Sequence, residues 1–277
     1  AGIGNFGVSL VQFITPVVIG FAVIGGSQDF KKNPDAAVKE IHLQNALLLW
    51  IPIVVVLTVL AWVTLRSVPI RANVREQLDI FNTHHTCAFT SLYVMTYGAF
   101  SGLAAAFHVL IEKRFGDLPG GPDPLKYAFL GALVGSIMRV LTGPLSDRIG
   151  GAKLTMVSAI GMAACAFIVP QYVAKDLDNF TPFVISMCGI FFFAGIGNAS
   201  VFKQIPMLYD ARRAAGVVGW TAAIAAYGPF LVSVLISWSV AQTASPATFF
   251  YGLAVFCLLN AALNWWLYAR PKAPNPC

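Results

Sequence analysis

Residues 127–153 read YAFLGALVGSIMRVLTGPLSDRIGGAK. Through 127–145 the run is apolar except for one charge, Arg139. A helix of roughly 20 residues crosses the ~30 Å hydrocarbon core of a bilayer, so this run is long enough to span. A polar stretch then follows, with Asp147 and Arg148 set between glycines. Glycines permit a tight turn, and a carboxylate and a guanidinium can cap and pair with neighbouring helix ends. We expect a loop over 146–152 that latches two helices in one conformation and releases them in another. Gly143, Asp147, Arg148 and Gly150 are therefore gating candidates.

The pattern of apolar run and polar turn repeats outward from this stretch. The chain is 57% hydrophobic and 11% charged, where soluble domains carry about a quarter charged residues. Lipid solvates apolar surface that water would not. Eight segments have spanning length, near 1–25, 44–65, 86–111, 127–145, 153–173, 182–207, 216–240 and 247–269. In lipid the backbone must satisfy its own hydrogen bonds, so each is expected as a helix. The fold class expected is all-α, a polytopic membrane protein.

Loops alternate in charge. Those on one side, including Lys31, Lys113 and Lys175, are outnumbered by acids such as Asp29, Glu112 and Asp176. Those on the other side, including Arg66, Arg71, Arg148, Arg212 and Arg270, are net basic. The positive-inside rule places the second set, and the tail 270–277, in the cytoplasm. The longest polar segment on that side, 66–85, reads as a linker between two bundles. It divides the chain into 1–65, the last two helices of a first bundle, and 86–269, a complete six-helix bundle. The opening residues already lie in an apolar stretch, so the chain reads as lacking the N-terminal part of a longer protein. The net charge of +6 forms no basic stripe, which argues against nucleic acid as a partner. The five cysteines have no metal-ligand spacing and read as reduced packing residues.

All twelve acids fall in loops or at span ends. Two bases do not: Arg139 in the fourth span and Lys203 in the sixth. Lys203 lies about a turn from the cytoplasmic end, where a lysine stem can snorkel to the interface. Arg139 lies deeper, where a charge costs several kcal/mol. One reading gives it backbone carbonyls or amide side chains on another helix. The other gives it a central cavity, with the cargo as counter-ion. A guanidinium is planar and always charged, and its fork of donors matches a planar oxyanion.

Three patches are rich in small and polar residues. The first holds Gly2, Gly4 and Asn5, the second Gly195, Gly197 and Asn198, and the third runs from Gly219 to Gly228. Close helix packing accounts for many of the glycines. Asn5 and Asn198 add amide donors at depth, suited to an anion. Tyr93 and Tyr97 are four apart and share a helical face, either as packing or as a hydroxyl donor and a wall. His108 reads as packed or bonded to backbone rather than as a proton carrier.

The Gly143–Gly151 stretch resembles the G-x-x-x-D-R-x-G signature of the major facilitator superfamily. Residues 1–12 and 219–230 resemble the two nitrate signatures of the nitrate/nitrite porter family, and residues 194–206 resemble its tenth helix. The resemblance covers essentially the whole chain and implies helices five to twelve of twelve. It implies an anion clamped between two arginines, of which Arg139 matches the eighth-helix one. The other belongs to helices not in this sequence, and those four helices are expected to be required for a complete transporter. It further implies that Asn5 lies near the anion, that Tyr93 bonds it and that Tyr97 forms an aromatic wall. Ala223, Ala225 and Ala226 fill small positions where the second signature has more glycine.

The expectation is nitrate or nitrite transport by alternating access, by nitrate/nitrite exchange or with protons. The expected setting is the bacterial cytoplasmic membrane, with the protein a monomer in lipid. The spans hold no carboxylate to carry protons, which leans toward exchange. Transport of another small anion, such as formate or phosphate, and an anion sensor without transport are the alternatives. No metal cluster, nucleophile–base pair or cofactor motif is present, so neither an enzyme nor a cofactor is expected.

Overall fold

Threonines inside apolar runs can be held in a helix by bonding back to their own turn. Thr58 donates to the Val54 carbonyl at 2.7 Å and Thr64 to Leu60 at 2.6 Å. A computed structural model describes residues 50–66, 78–271 and 273, together with positions 14 and 48. These fall into two units, with residues 50–66 in one and 78–273 in the other. All regular elements among the described residues are helical. The first unit contributes α1 (Trp50–Thr64), 15 residues of an apolar run expected as a span over 44–65. The segment expected at 1–25 lies outside the described residues.

The second unit holds six helices long and apolar enough to cross a membrane. They are α2 (His84–Gly116), α3 (Ala128–Ile149), α4 (Gly151–Tyr172), α5 (Leu177–Leu208), α6 (Ala211–Thr243) and α7 (Ala247–Ala269). Each covers a segment that the apolar pattern predicts. This is an all-α, multi-pass membrane protein.

The predicted loop at 146–152 is not a loop. Helix α3 continues through Gly143, Pro144, Asp147 and Arg148 to Ile149, and α4 begins at Gly151. The reversal is made by Gly150 alone, at φ 101° and ψ 139°. That region is closed to most residues with a Cβ, so one glycine can end one span and start the next. The N–H of Gly150 still bonds the Ser146 carbonyl at 3.1 Å.

Two spans are irregular inside. In α2 the backbone widens to a π-turn at Val94–Gly98. In α6 the helix breaks at Ala226–Tyr227 and restarts at Gly228. Pro229 has no N–H to return to the preceding turn, which is why the break falls there. The two irregularities face each other. A Cβ on Gly228 would come within 2.2 Å of the Gly98 carbonyl oxygen.

Helix α5 packs along both α3 and α4. Its contact with α3 is also a glycine crossing, since a Cβ on Gly195 would lie 2.3 Å from the Gly135 carbonyl oxygen. Small residues let backbones approach in lipid, where packing rather than water drives association. On the α4 side, Gln204 donates to Thr155 at 2.7 Å, and Thr155 and Ser200 share a bond of 2.7 Å. Phenylalanines 100, 107, 183 and 191 fill the space between α2 and α5.

The short helical turn Leu78–Asn82 is pinned to the start of α6. Asp79 accepts from Arg212 at 2.5 Å and Arg213 at 3.1 Å. Phe81 meets Trp220 edge-on at 4.8 Å, and Thr83 bonds Tyr209 at 2.7 Å. The hydrogen bond from Arg212 is the main influence holding the Asp79 carboxyl below its usual range. Partial burial opposes this, and the Arg213 bond adds to it. A lowered carboxylate pKa stabilises docking above the ordinary value of about 3.9. That contribution is lost as pH falls through the lowered value.

Two outcomes are expected. Gly195→Val should cost roughly 1–3 kcal/mol by overpacking, whereas Gly219→Ala, inside a helix with open space beside it, should raise the unfolding midpoint in detergent, on the scale of the roughly 0.5–1 kcal/mol by which alanine exceeds glycine in mid-helix. Asp79→Asn should speed hydrogen exchange at 78–83 at neutral pH. The wild type should reach that rate, corrected for intrinsic exchange, only under acid conditions.

Candidate anion site

Arg139 is placed by α3 about 17 Å from Ala128, at 1.5 Å rise per residue, and so near mid-helix. It is 6% exposed. Among the described residues no carboxylate lies within ion-pair distance of its guanidinium. Two aromatic residues face it instead. The guanidinium lies over the Phe202 ring, 5.7 Å from the centroid. The Tyr93 hydroxyl also lies close enough for the Arg139 charge to act on it.

These aromatics form a column. Tyr93 and Phe202 stack at 4.2 Å with planes 17° apart, and Tyr93 and Tyr97 stack at 5.3 Å with planes 6° apart. The column runs from the irregular part of α2 across to α5 and ends on the charge of α3. Tyr93 is buried and Tyr97 half-buried.

Asn198 lies one helical turn before Phe202 and three residues after Gly195, on the side of α5 that meets α3. It is fully buried, and neither its amide nitrogen nor its oxygen has a hydrogen-bond partner. An orphaned buried amide costs about 1–3 kcal/mol, so each such group requires an explanation. Gly197 turns the other way, toward Ser158 and Thr96.

The remaining candidates are placed apart. Gly228 serves the α2–α6 crossing, and Gly219 is exposed with nothing beside it. Asn5, Gly2 and Gly4 lie outside the described residues. Gly143 has open space around it, and Arg148 is exposed. His108 is exposed on α2, not packed. An apolar neighbourhood in sequence does not say which face of the helix a residue occupies.

Lys203 has a partner that the loop reading concealed. Its ammonium is ion-paired with Asp147, both side chains being substantially exposed. Because α3 continues past the predicted turn, Asp147 comes alongside α5 and the lysine stem reaches it. Of the two bases at depth, only Arg139 is therefore without an acid among the described residues. Phe202 is the residue that sequence reasoning missed. The signal was present: Gly195, Asn198 and Phe202 fall at i, i+3 and i+7 on one helical face.

A buried cation with donor edges, aromatic walls and, one turn before Phe202, an orphaned buried amide form a setting for a small planar anion. No family model matches the chain. Over its whole length, however, the chain is 55% identical to a probable nitrate/nitrite antiporter, NarK2, of Thermus thermophilus. The chain belongs to the nitrate/nitrite porter family. Members of that family more distant from it include the nitrate/nitrite transporter NarU of Escherichia coli, 28% identical over 98% of the chain. The nitrite extrusion protein of Bacillus subtilis is 24% identical over 73% of the chain and is covered over 50% of its own length. The chain spans 63% of the length of the first two of these porters. All three relatives are bacterial.

An unmatched buried charge makes a prediction about stability. In anion-free detergent, Arg139→Met should raise the unfolding free energy, by roughly 1–4 kcal/mol on the scale of buried-charge replacements. A lowered midpoint would mean that the fold already satisfies the guanidinium.

Proposed function

We propose that the protein containing this chain carries nitrate and nitrite across the bacterial cytoplasmic membrane by alternating access. The reading is carried by Arg139, buried at mid-helix with no carboxylate in ion-pair reach among the described residues. Nitrate is planar and spreads its charge over three oxygens. Two of them can accept from the fork of one guanidinium, and a second arginine in the N-terminal part of the protein clamps the anion from the other side. The relatives named as nitrate and nitrite transporters support this choice of cargo.

In this reading Tyr93 donates to the anion, Tyr97 walls the site and Asn198 turns its free amide N–H toward it. Asn5, Gly2 and Gly4 contribute the corresponding surface of the first bundle. Gly195, Gly197 and Gly228 provide the close packing that the helices need, and Gly219, with open space beside it, leaves freedom of movement. Residues 1–65 are the last two helices of that first bundle, 66–85 a cytoplasmic linker and 86–269 the second bundle. The tail 270–277 is cytoplasmic, and the working unit is a monomer. The two bundles rock about the anion, which removes repulsion between arginines and so favours closure. Gly143, Asp147, Arg148 and Gly150 gate on the cytoplasmic side, where the Asp147–Lys203 pair ties α3 to α5. Exchange of nitrate for nitrite fits spans without a carboxylate proton carrier.

The test uses the full-length protein in proteoliposomes loaded with nitrite. External nitrate uptake should depend on internal nitrite and resist competition by phosphate. Arg139→Lys, which keeps the charge and loses the fork, should cut uptake at least about tenfold, the loss of one strong charge-assisted hydrogen bond. Uptake unchanged in that variant would remove the bidentate role.

A further inference from the structure

We propose that Phe202 is a positioning residue for the anion, acting through Arg139. The inference rests on the anion-site reading above. A guanidinium has two distinct surfaces, a face that stacks on aromatic rings and an edge that carries the N–H donors. The Phe202 ring lies under the guanidinium, 5.7 Å from centroid to carbon. A ring attracts the charge without taking up an N–H donor in a strong hydrogen bond, whereas a carboxylate in its place would accept from the edge and neutralise the charge. Phe202 therefore orients a long, flexible side chain without competing with the cargo.

Phe202 is itself held on two sides. Its own ring stacks on Tyr93 at 4.2 Å, so it cannot tilt without breaking that contact. The next residue, Lys203, is ion-paired with Asp147 two turns further along the helix that carries Arg139. The ring and the ammonium, consecutive on α5, thus fix that helix to α3 at the site and at its polar end. A positioning ring needs this kind of constraint, because a mobile one would pass no orientation on to Arg139.

The experiment places fluorinated phenylalanines at position 202 of the full-length protein. One, two and three ring fluorines change shape little and progressively weaken the negative face of the ring. Sodium nitrate affinity is read by titration, and the nitrate-free unfolding midpoint is read alongside. Affinity should fall stepwise, about threefold per fluorine and roughly thirtyfold for three, the scale of a desolvated cation–π contact. Phe202→Leu should lose affinity to a similar extent. The midpoint should stay level across the fluorinated series. A flat affinity series overturns the positioning role, since packing alone responds to shape and not to ring charge. If the wild type binds nitrate and Arg139→Lys weakens it while the series stays flat, only the role of Phe202 fails. If the wild type binds no nitrate, the anion-site reading fails and takes this inference with it.

Discussion

Burying the Arg139 guanidinium at mid-α3 costs several kcal/mol, and its described neighbours return only part of that. A ring face and a phenol hydroxyl are weak partners for a full charge. The surrounding helices are organised around that deficit. Gly135 and Gly195 bring the α3 and α5 backbones together, and this lets Phe202 reach the guanidinium. Tyr93, placed by α2, closes the other side of the ring. An acid in place of Phe202 or Tyr93 would neutralise the charge. It would also leave nothing for a passing anion to do.

The charge balance made much of this legible in the sequence. Every acid falls at a loop or a span end, so a lone arginine deep in an apolar run is visible before any coordinates. The helices were legible because length and hydropathy set spanning segments directly. What escaped was whatever depends on where a helix stops. Gly150 and Gly151 read as a loop flanked by Asp147 and Arg148, yet one glycine at positive φ makes the whole reversal. That displacement hid the Asp147–Lys203 pair, so that Lys203 read as an interface anchor and its acid partner went unseen. The ring column escaped for a different reason. Stacking between Tyr93 and Phe202 joins residues on separate helices, and no periodicity within either one reports it. The break in α6 was masked by an apolar run that continues straight through Pro229.

Two kinds of crossing share the bundle. Where α3 meets α5, both helices are regular and glycine-packed, with a polar network of Thr155, Ser200 and Gln204 behind α5. Where α2 meets α6, both helices are irregular, a π-turn on one side and a broken turn on the other. Non-helical backbone at membrane depth persists only where protein or a water-lined cavity satisfies its polar groups. Placing both irregularities at Gly98 and Gly228 concentrates the pliant backbone at one point.

The aromatic column connects these two regions. Tyr93 ends the regular part of α2 and Tyr97 lies within its π-turn, so their stacking depends on how that turn is wound. A change of one residue per turn there would rotate Tyr97 relative to Tyr93 and loosen the support behind Phe202. The guanidinium over Phe202 would then lose its fixed orientation without any movement of α3. A rigid crossing holds the charge, a pliant one can release its aim, and three rings carry the constraint between them.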